Sequence, residues 1–145
     1  MPLYRRIMVA IDCSPVDRNI LAHVTDLALQ NKAKVDLVHV VHSHTRDQHR
    51  VLTEKARNAL ESFRETMANQ GVDVNVVIRS GEPEREILTQ IDSQAYDLVA
   101  MATHGHSFFG DLLFGSVSRT LKHKIDVPLL LIRSKGPSRF SRKKC

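Results

Sequence analysis

Apolar residues in this chain follow two spacings that take turns. Short unbroken runs, such as IMVAI at 7–11, alternate with longer stretches in which apolar positions recur every three or four residues. An unbroken apolar run bounded by polar residues predicts a strand buried on both faces. Recurrence near 3.6 residues predicts a helix with one apolar face. Arg6–Asp12 therefore reads as a first strand. Ser14-Pro15-Val16-Asp17 reads as a helix start: the serine can cap, the proline suits the first helical position, and Asp17 stands where a capping-box acid would. Val16, Ile20, Leu21, Val24, Leu27 and Ala28 carry the apolar face through Asn31.

The unit recurs. Val35–Val41 reads as a second strand. A polar, histidine-rich loop leads to a helix near 51–69 with Ala56, Ala59, Leu60, Phe63 and Met67 inward. Val72–Ile78 is a third strand, and Gly81-Glu82-Pro83 turns into a third helix carrying Ile87, Leu88 and Ile91. Asp97–Ala102 is a fourth strand. A fourth helix is expected from about Ser116 to Lys124 and a fifth strand over Val127–Arg133. Strands alternating with helices predict an α/β fold: an open five-stranded parallel sheet with helices on both faces, Rossmann-like, wound with right-handed crossovers. In such sheets ligands bind beyond the carboxyl ends of the strands, where the winding direction reverses. The loops after the first and fourth strands are the candidates for that crevice.

Composition changes this picture little. A chain of 145 residues fits one domain. No apolar run approaches the ~20 residues needed to cross a bilayer, and no leader-type cleavage site follows the first apolar run, so a cytoplasmic protein is expected. Cys13 and Cys145 suggest no disulfide framework. The net charge of +5 invites a nucleic-acid reading, but Lys135, Arg139, Arg142, Lys143 and Lys144 account for it; without them the chain has 16 basic and 16 acidic residues. The expected organisation is a neutral folded unit over 1–133 and a basic tail over 134–145, with neither nucleic acid nor membrane as partner.

The stretch ATHGHSFFGDLLFGS at 102–116 holds Gly105 and Gly115, with Ser116 next to the second. A loop that wraps phosphate needs inward backbone N–H groups and no Cβ in the way. Gly105 stands just past the fourth strand, and Gly115-Ser116 at the expected start of a helix, whose amides and dipole favour an anion. The plainer account is that Gly105 turns the chain and Gly115-Ser116 caps the helix; spacing alone leaves both open. The stretch is neither a Walker loop nor GxGxxG.

The spacing resembles the signature of the universal stress protein family, GxxGxxxxxxxxxG[S/T], with nine residues between Gly105 and Gly115 and a hydroxyl at Ser116. The resemblance spans about residues 3–133 and includes IMVAIDCSP, LVHVV and VPLLLIR. It implies a fold of the adenine nucleotide alpha hydrolase type and a dimeric stress-response sensor or regulator that binds ATP, or ADP or AMP, with Mg2+ or Mn2+ held by the phosphates. It also implies the site. Ala10, Ile11 and Asp12 would meet the adenosine, with Asp12 near the ribose. Val40 would contact adenine through its backbone. Ala102, Thr103, His104, Gly105, His106 and Ser107 would wrap ribose and phosphates, and Gly115, Ser116 and Val117 would close on the phosphates. The last strand, Val127–Arg133, would pair with its copy in a homodimer. Two departures stand out: Ala102 replaces the first signature glycine, and Cys13 stands where glycine is frequent.

Other candidates are weaker. His39, His42, His44 and His49 lie within eleven residues, with His104 and His106 on another loop. Such spacing can bind zinc or nickel, but solvated histidines explain it as well. Ser14 and Ser116 lack evident His/Asp partners and read as caps. No arginine finger or water-positioning residue is evident, so hydrolysis, if any, is expected to be slow. Glu82, Glu84 and Glu86 suit the dipole at the start of the third helix. The alternatives to an ATP-binding regulator are an interaction module of the same fold that binds no nucleotide, and an adenylyl-transferring enzyme. The latter would need a loop like SGGxDS after the first strand, which Asp12-Cys13-Ser14-Pro15 does not supply.

Overall fold

A computed structural model describes residues 2–13, 17–104 and 109–134. Nine elements alternate along the chain: β1 (Arg6–Ala10), α1 (Asp17–Asn31), β2 (Lys34–Val41), α2 (Arg46–Asn69), β3 (Asp73–Ser80), α3 (Pro83–Ser93), β4 (Leu98–His104), α4 (Phe109–Lys124) and β5 (Leu129–Ser134). The strands form one parallel sheet in the order β3-β2-β1-β4-β5. The chain winds outward from β1 through β2 to β3. It then crosses to β4 on the other flank of β1, so the winding reverses between β1 and β4.

Right-handed crossovers put α1 and α2 on one face and α3 and α4 on the other. Strand alternation sends successive side chains to opposite faces, and two apolar cores follow. Ile7 and Val9 join Leu37, Ile20, Val24 and Leu60 beneath α1 and α2. Met8 and Ala10 join Val38, Met101, Ile87 and Leu121 beneath α3 and α4. Each fully buried aliphatic side chain of this size contributes about 1.5–3 kcal/mol by leaving water.

Polar groups fasten the ends of the sheet away from the strand tips. Asp97 Oδ2 accepts from the amides of Arg5 and Arg6 at 2.8 and 3.0 Å, which ties the start of β1 to the start of β4. Asp36 faces α3 from β2 and is 6% exposed. A buried carboxylate needs partners, and it has two: the Tyr96 hydroxyl donates to Asp36 Oδ2 at 2.6 Å, and Arg6 lies 3.3 Å away. The chain of bonds continues from Gln90 Nε2 to Tyr96 Oη and from Arg79 to Gln90 and Glu86. Burial, helped by the Asp36 hydrogen bond, pushes the Tyr96 phenol up to about 12.

Two element boundaries differ from the sequence expectation. α2 starts at Arg46 rather than near residue 51, because Thr45 caps it: Gln48 N donates to Thr45 Oγ1 at 3.1 Å, and Gln48 Oε1 accepts from His44 N at 3.0 Å. α4 starts at Phe109, seven residues before the expected Ser116. The positions Phe109, Leu112, Leu113, Val117 and Leu121 form one helical apolar series, so the periodicity that seats Val117 and Leu121 extends back to residue 109. The expected helix start at Ser14-Pro15-Val16 and the basic tail at 135–145 lie outside the described residues.

Candidate functional site

The crevice is built where β1 and β4 part company. Ala10 pairs with Val38 on one side and Met101 on the other. Ile11 N still donates to Val38 O at 2.8 Å. Beyond it β1 ends while β2 and β4 run on, and Asp12 and Cys13 leave the sheet. Ala10, Ile11 and Ala102 are buried, so their side chains belong to the cores and only backbone can reach a ligand there. Asp12 is half-buried and is the carboxylate at the tip of β1. Val40, half-buried near the end of β2, packs against the α3/α4 core. Thr103 and His104 extend β4 in register with Arg133 and Ser134 of β5. Gly105, His106 and Ser107 lie outside the described residues.

Ala102 raises no backbone difficulty. It sits in extended strand paired with Ile132, and the non-glycine residues with positive φ among those described are Cys13 and Lys32. The methyl group in place of the family's first glycine therefore meets no conformational penalty. Cys13, by contrast, has φ 63°. That left-handed conformation suits glycine best, which explains why glycine is frequent at this position in the resembling family.

The structure places three of the expected contact residues differently along α4 than the sequence suggests. Gly115 and Ser116 lie inside α4 rather than at its start, and Val117 is 0% exposed in the core beside Met8, Val99 and Leu121. A helix beginning at Phe109 leaves the amides of residues 109–112 without intrahelical partners, so those, not Gly115-Ser116, form the amino end that faces away from α4. The anion-favouring end of the helix thus moves toward the loop that leaves β4.

His42 and His44 are exposed, as solvated loop histidines would be, while His39 and His49 are half-buried. His39, half-buried near the tip of β2, donates Nδ1–H to Ile11 O at 2.7 Å and has Cys13 Sγ at 3.7 Å. The carbonyl acceptor fixes the proton on Nδ1 and binds the tips of β1 and β2 together. Burial lowers the His39 pKa below its ordinary 6.5, against the opposing pull of the Ile11 carbonyl and the Asp12 charge. His42 Nδ1 donates to Gly81 O at 3.2 Å, and His49 Nε2 lies 2.8 Å from Ser80 Oγ. His42 and His44 meet edge to face with ring centroids 5.4 Å apart. Among the described residues no group of three or more His, Cys, Asp and Glu side chains could hold a metal ion. The role of His39 was missed in the sequence, because a strand histidine carries no signal of what its ring will meet.

Comparisons with known proteins agree with this architecture. The chain is 26% identical to universal stress protein YxiE of Bacillus subtilis over 90% of its own length and 100% of that protein. The solved structure of MJ0577, a universal stress protein of Methanocaldococcus jannaschii, superposes with a TM-score of 0.77 at 26% identity, covering 92% of this chain and 99% of that one. A universal stress protein of Archaeoglobus fulgidus, solved in complex with dAMP, has a TM-score of 0.69 at 20% identity, covering 90% of this chain and 98% of that one. The model of the universal stress protein family matches residues 3–133. With that match spanning every element from β1 to nearly the end of β5, the chain belongs to the universal stress protein family.

Proposed function

We propose that this protein binds an adenine nucleotide in the crevice between β1 and β4 and acts as a cytoplasmic, dimeric regulator whose state reports nucleotide occupancy. The observation that carries the reading is the half-buried Asp12 at the tip of β1, across the reversal point from the end of β4 and the loop leading to the amino end of α4. A carboxylate there can accept from ribose hydroxyls, while the amides of the loop and helix end take the phosphates. The Archaeoglobus protein bound to dAMP supports the choice of an adenine nucleotide through its shared fold. ATP is the form we favour. Its divalent ion arrives on the phosphates. Adenine is placed against the backbone at Val40, and the loop holding Gly105, His106 and Ser107 wraps the phosphates.

Isothermal titration with ATP, ADP and AMP tests this. Saturable binding is expected, and Asp12→Ala should weaken it about tenfold, the effect of losing a charge-assisted hydrogen bond. No heat and no thermal shift at millimolar nucleotide would overturn the reading in favour of an interaction module without a ligand. The dimer is placed at β5. Its Leu129, Leu130, Leu131 and Ile132 remain half-buried at the edge of the sheet, where an apolar strand invites pairing with a copy of itself.

A further inference from the structure

The two helices on the first face bury Ile7 and Val9 of β1 but rest mainly on the flanking strands. α1 seats on β4 and β5, and α2 on β2 and β3, leaving a groove of about 370 Å³ between them. That volume is within the range of small-ligand sites. Leu21 and Met67 reach it from the core edge, with half-buried Phe63 beside them. Its polar rim is largely self-satisfied: Thr25 Oγ1 donates to Leu21 O at 2.6 Å, and Thr66 Oγ1 donates to Ser62 O at 3.0 Å. These hydroxyl protons are spent on their own helices and add no donor for a ligand.

One lining residue is charged, and it is a cation. Arg18, exposed on the first turn of α1, stands at the groove and has no ion pair among the described residues. Among the described residues no carboxylate lines the cavity. An apolar wall with a single guanidinium fits an amphiphile with one acidic head: the hydrocarbon leaves water against Leu21, Phe63 and Met67, and the carboxylate meets the planar fork of Arg18. A cationic ligand would face Arg18 unfavourably. A polyphosphate would find one cation where it needs several.

We propose that the α1/α2 groove is a second ligand site, for a medium-chain monocarboxylate held by Arg18. At roughly 30 Å³ for each water-sized group, the cavity takes about ten to twelve heavy atoms, which is the size of octanoate or decanoate. The site lies on the α1/α2 face of the sheet and does not depend on the nucleotide reading.

The test is a titration of the full chain with sodium octanoate, followed by amide chemical shifts. Saturable shifts confined to α1 and α2 around Leu21, Thr25, Phe63 and Thr66 are expected. Octanol, the same chain without the charge, should bind about tenfold more weakly, and octylammonium no better than octanol. Arg18→Gln should bring octanoate down to the octanol level without lowering the melting temperature. Ala22→Phe, at an exposed position lining the groove, should block all three. Shifts that never saturate, equal affinity for octanoate and octanol, or an Arg18→Gln variant that binds octanoate as the parent does would each overturn the proposal.

Discussion

Burial changes the titration of Tyr96 and His39, and it makes Asp36 dependent on its hydrogen-bond partners. Asp36 is held by a phenol and a guanidinium, and removing the phenol leaves its buried oxygen short of a donor. Tyr96→Phe is therefore expected to cost about 1–3 kcal/mol, read from denaturant unfolding. The same hydroxyl predicts an alkaline effect. A phenol raised to about 12 is more easily ionised in the unfolded chain, so the stability it contributes is complete below pH 10 and is lost as the pH climbs toward 12. Tyr96→Phe should flatten that part of the profile. His39 acts at the other end of the scale. Its folded pKa lies below 6.5, so the unfolded chain binds the proton more readily and stability falls as the pH drops below 6.5. Thermal melts at pH 7.5 and 5.5 should show this loss, and His39→Gln should reduce it; an unchanged acid slope in that variant would exclude His39 as the cause.

At the level of elements, α2 depends on its cap, and α4 forms despite its glycines. Thr45→Ala should cost about 1 kcal/mol, because the Gln48 amide loses its acceptor. Gly115 lies inside α4, where glycine is about 1 kcal/mol less favourable than alanine. Gly115→Ala is expected to raise the melting temperature of the nucleotide-free chain; a lower one would mean that the helix starts later than Phe109. The number, type and order of the elements were legible in the apolar pattern, because unbroken runs and 3.6-residue repeats rarely coincide. Two boundaries were not. The start of α2 was signalled by Thr45 and Gln48 three residues apart, a capping signature hidden among histidines. The start of α4 was hidden by glycines: Gly110 and Gly115 read as loop residues, while Phe109, Leu112 and Leu113 carried the helical repeat. At the site, Asp12 and Ala102 could be placed from strand ends and family spacing. Val117 could not, since a residue beside a signature can still turn its side chain into the core.

For the whole molecule, the dimer proposed at β5 is open to a direct test. Sedimentation should give a particle of twice the 16.4 kDa chain, and a single-chain particle at micromolar concentration would remove the dimer proposed at β5. Deleting residues 135–145 should leave nucleotide affinity unchanged, because the basic tail follows the last strand and the charge it carries is absent from the crevice reading.

The placement of β1 has a further consequence for synthesis. Ile7 is paired with Leu98 across more than half the chain, while its other neighbour, Val35, is close in sequence. A nascent chain that has emerged only as far as β3 has a three-stranded ribbon whose most apolar strand is still bare along one edge. Until β4 emerges to cover it, that bare edge can recruit other chains, so the interval in which β3 is out and β4 is not is when the chain is most open to mispairing.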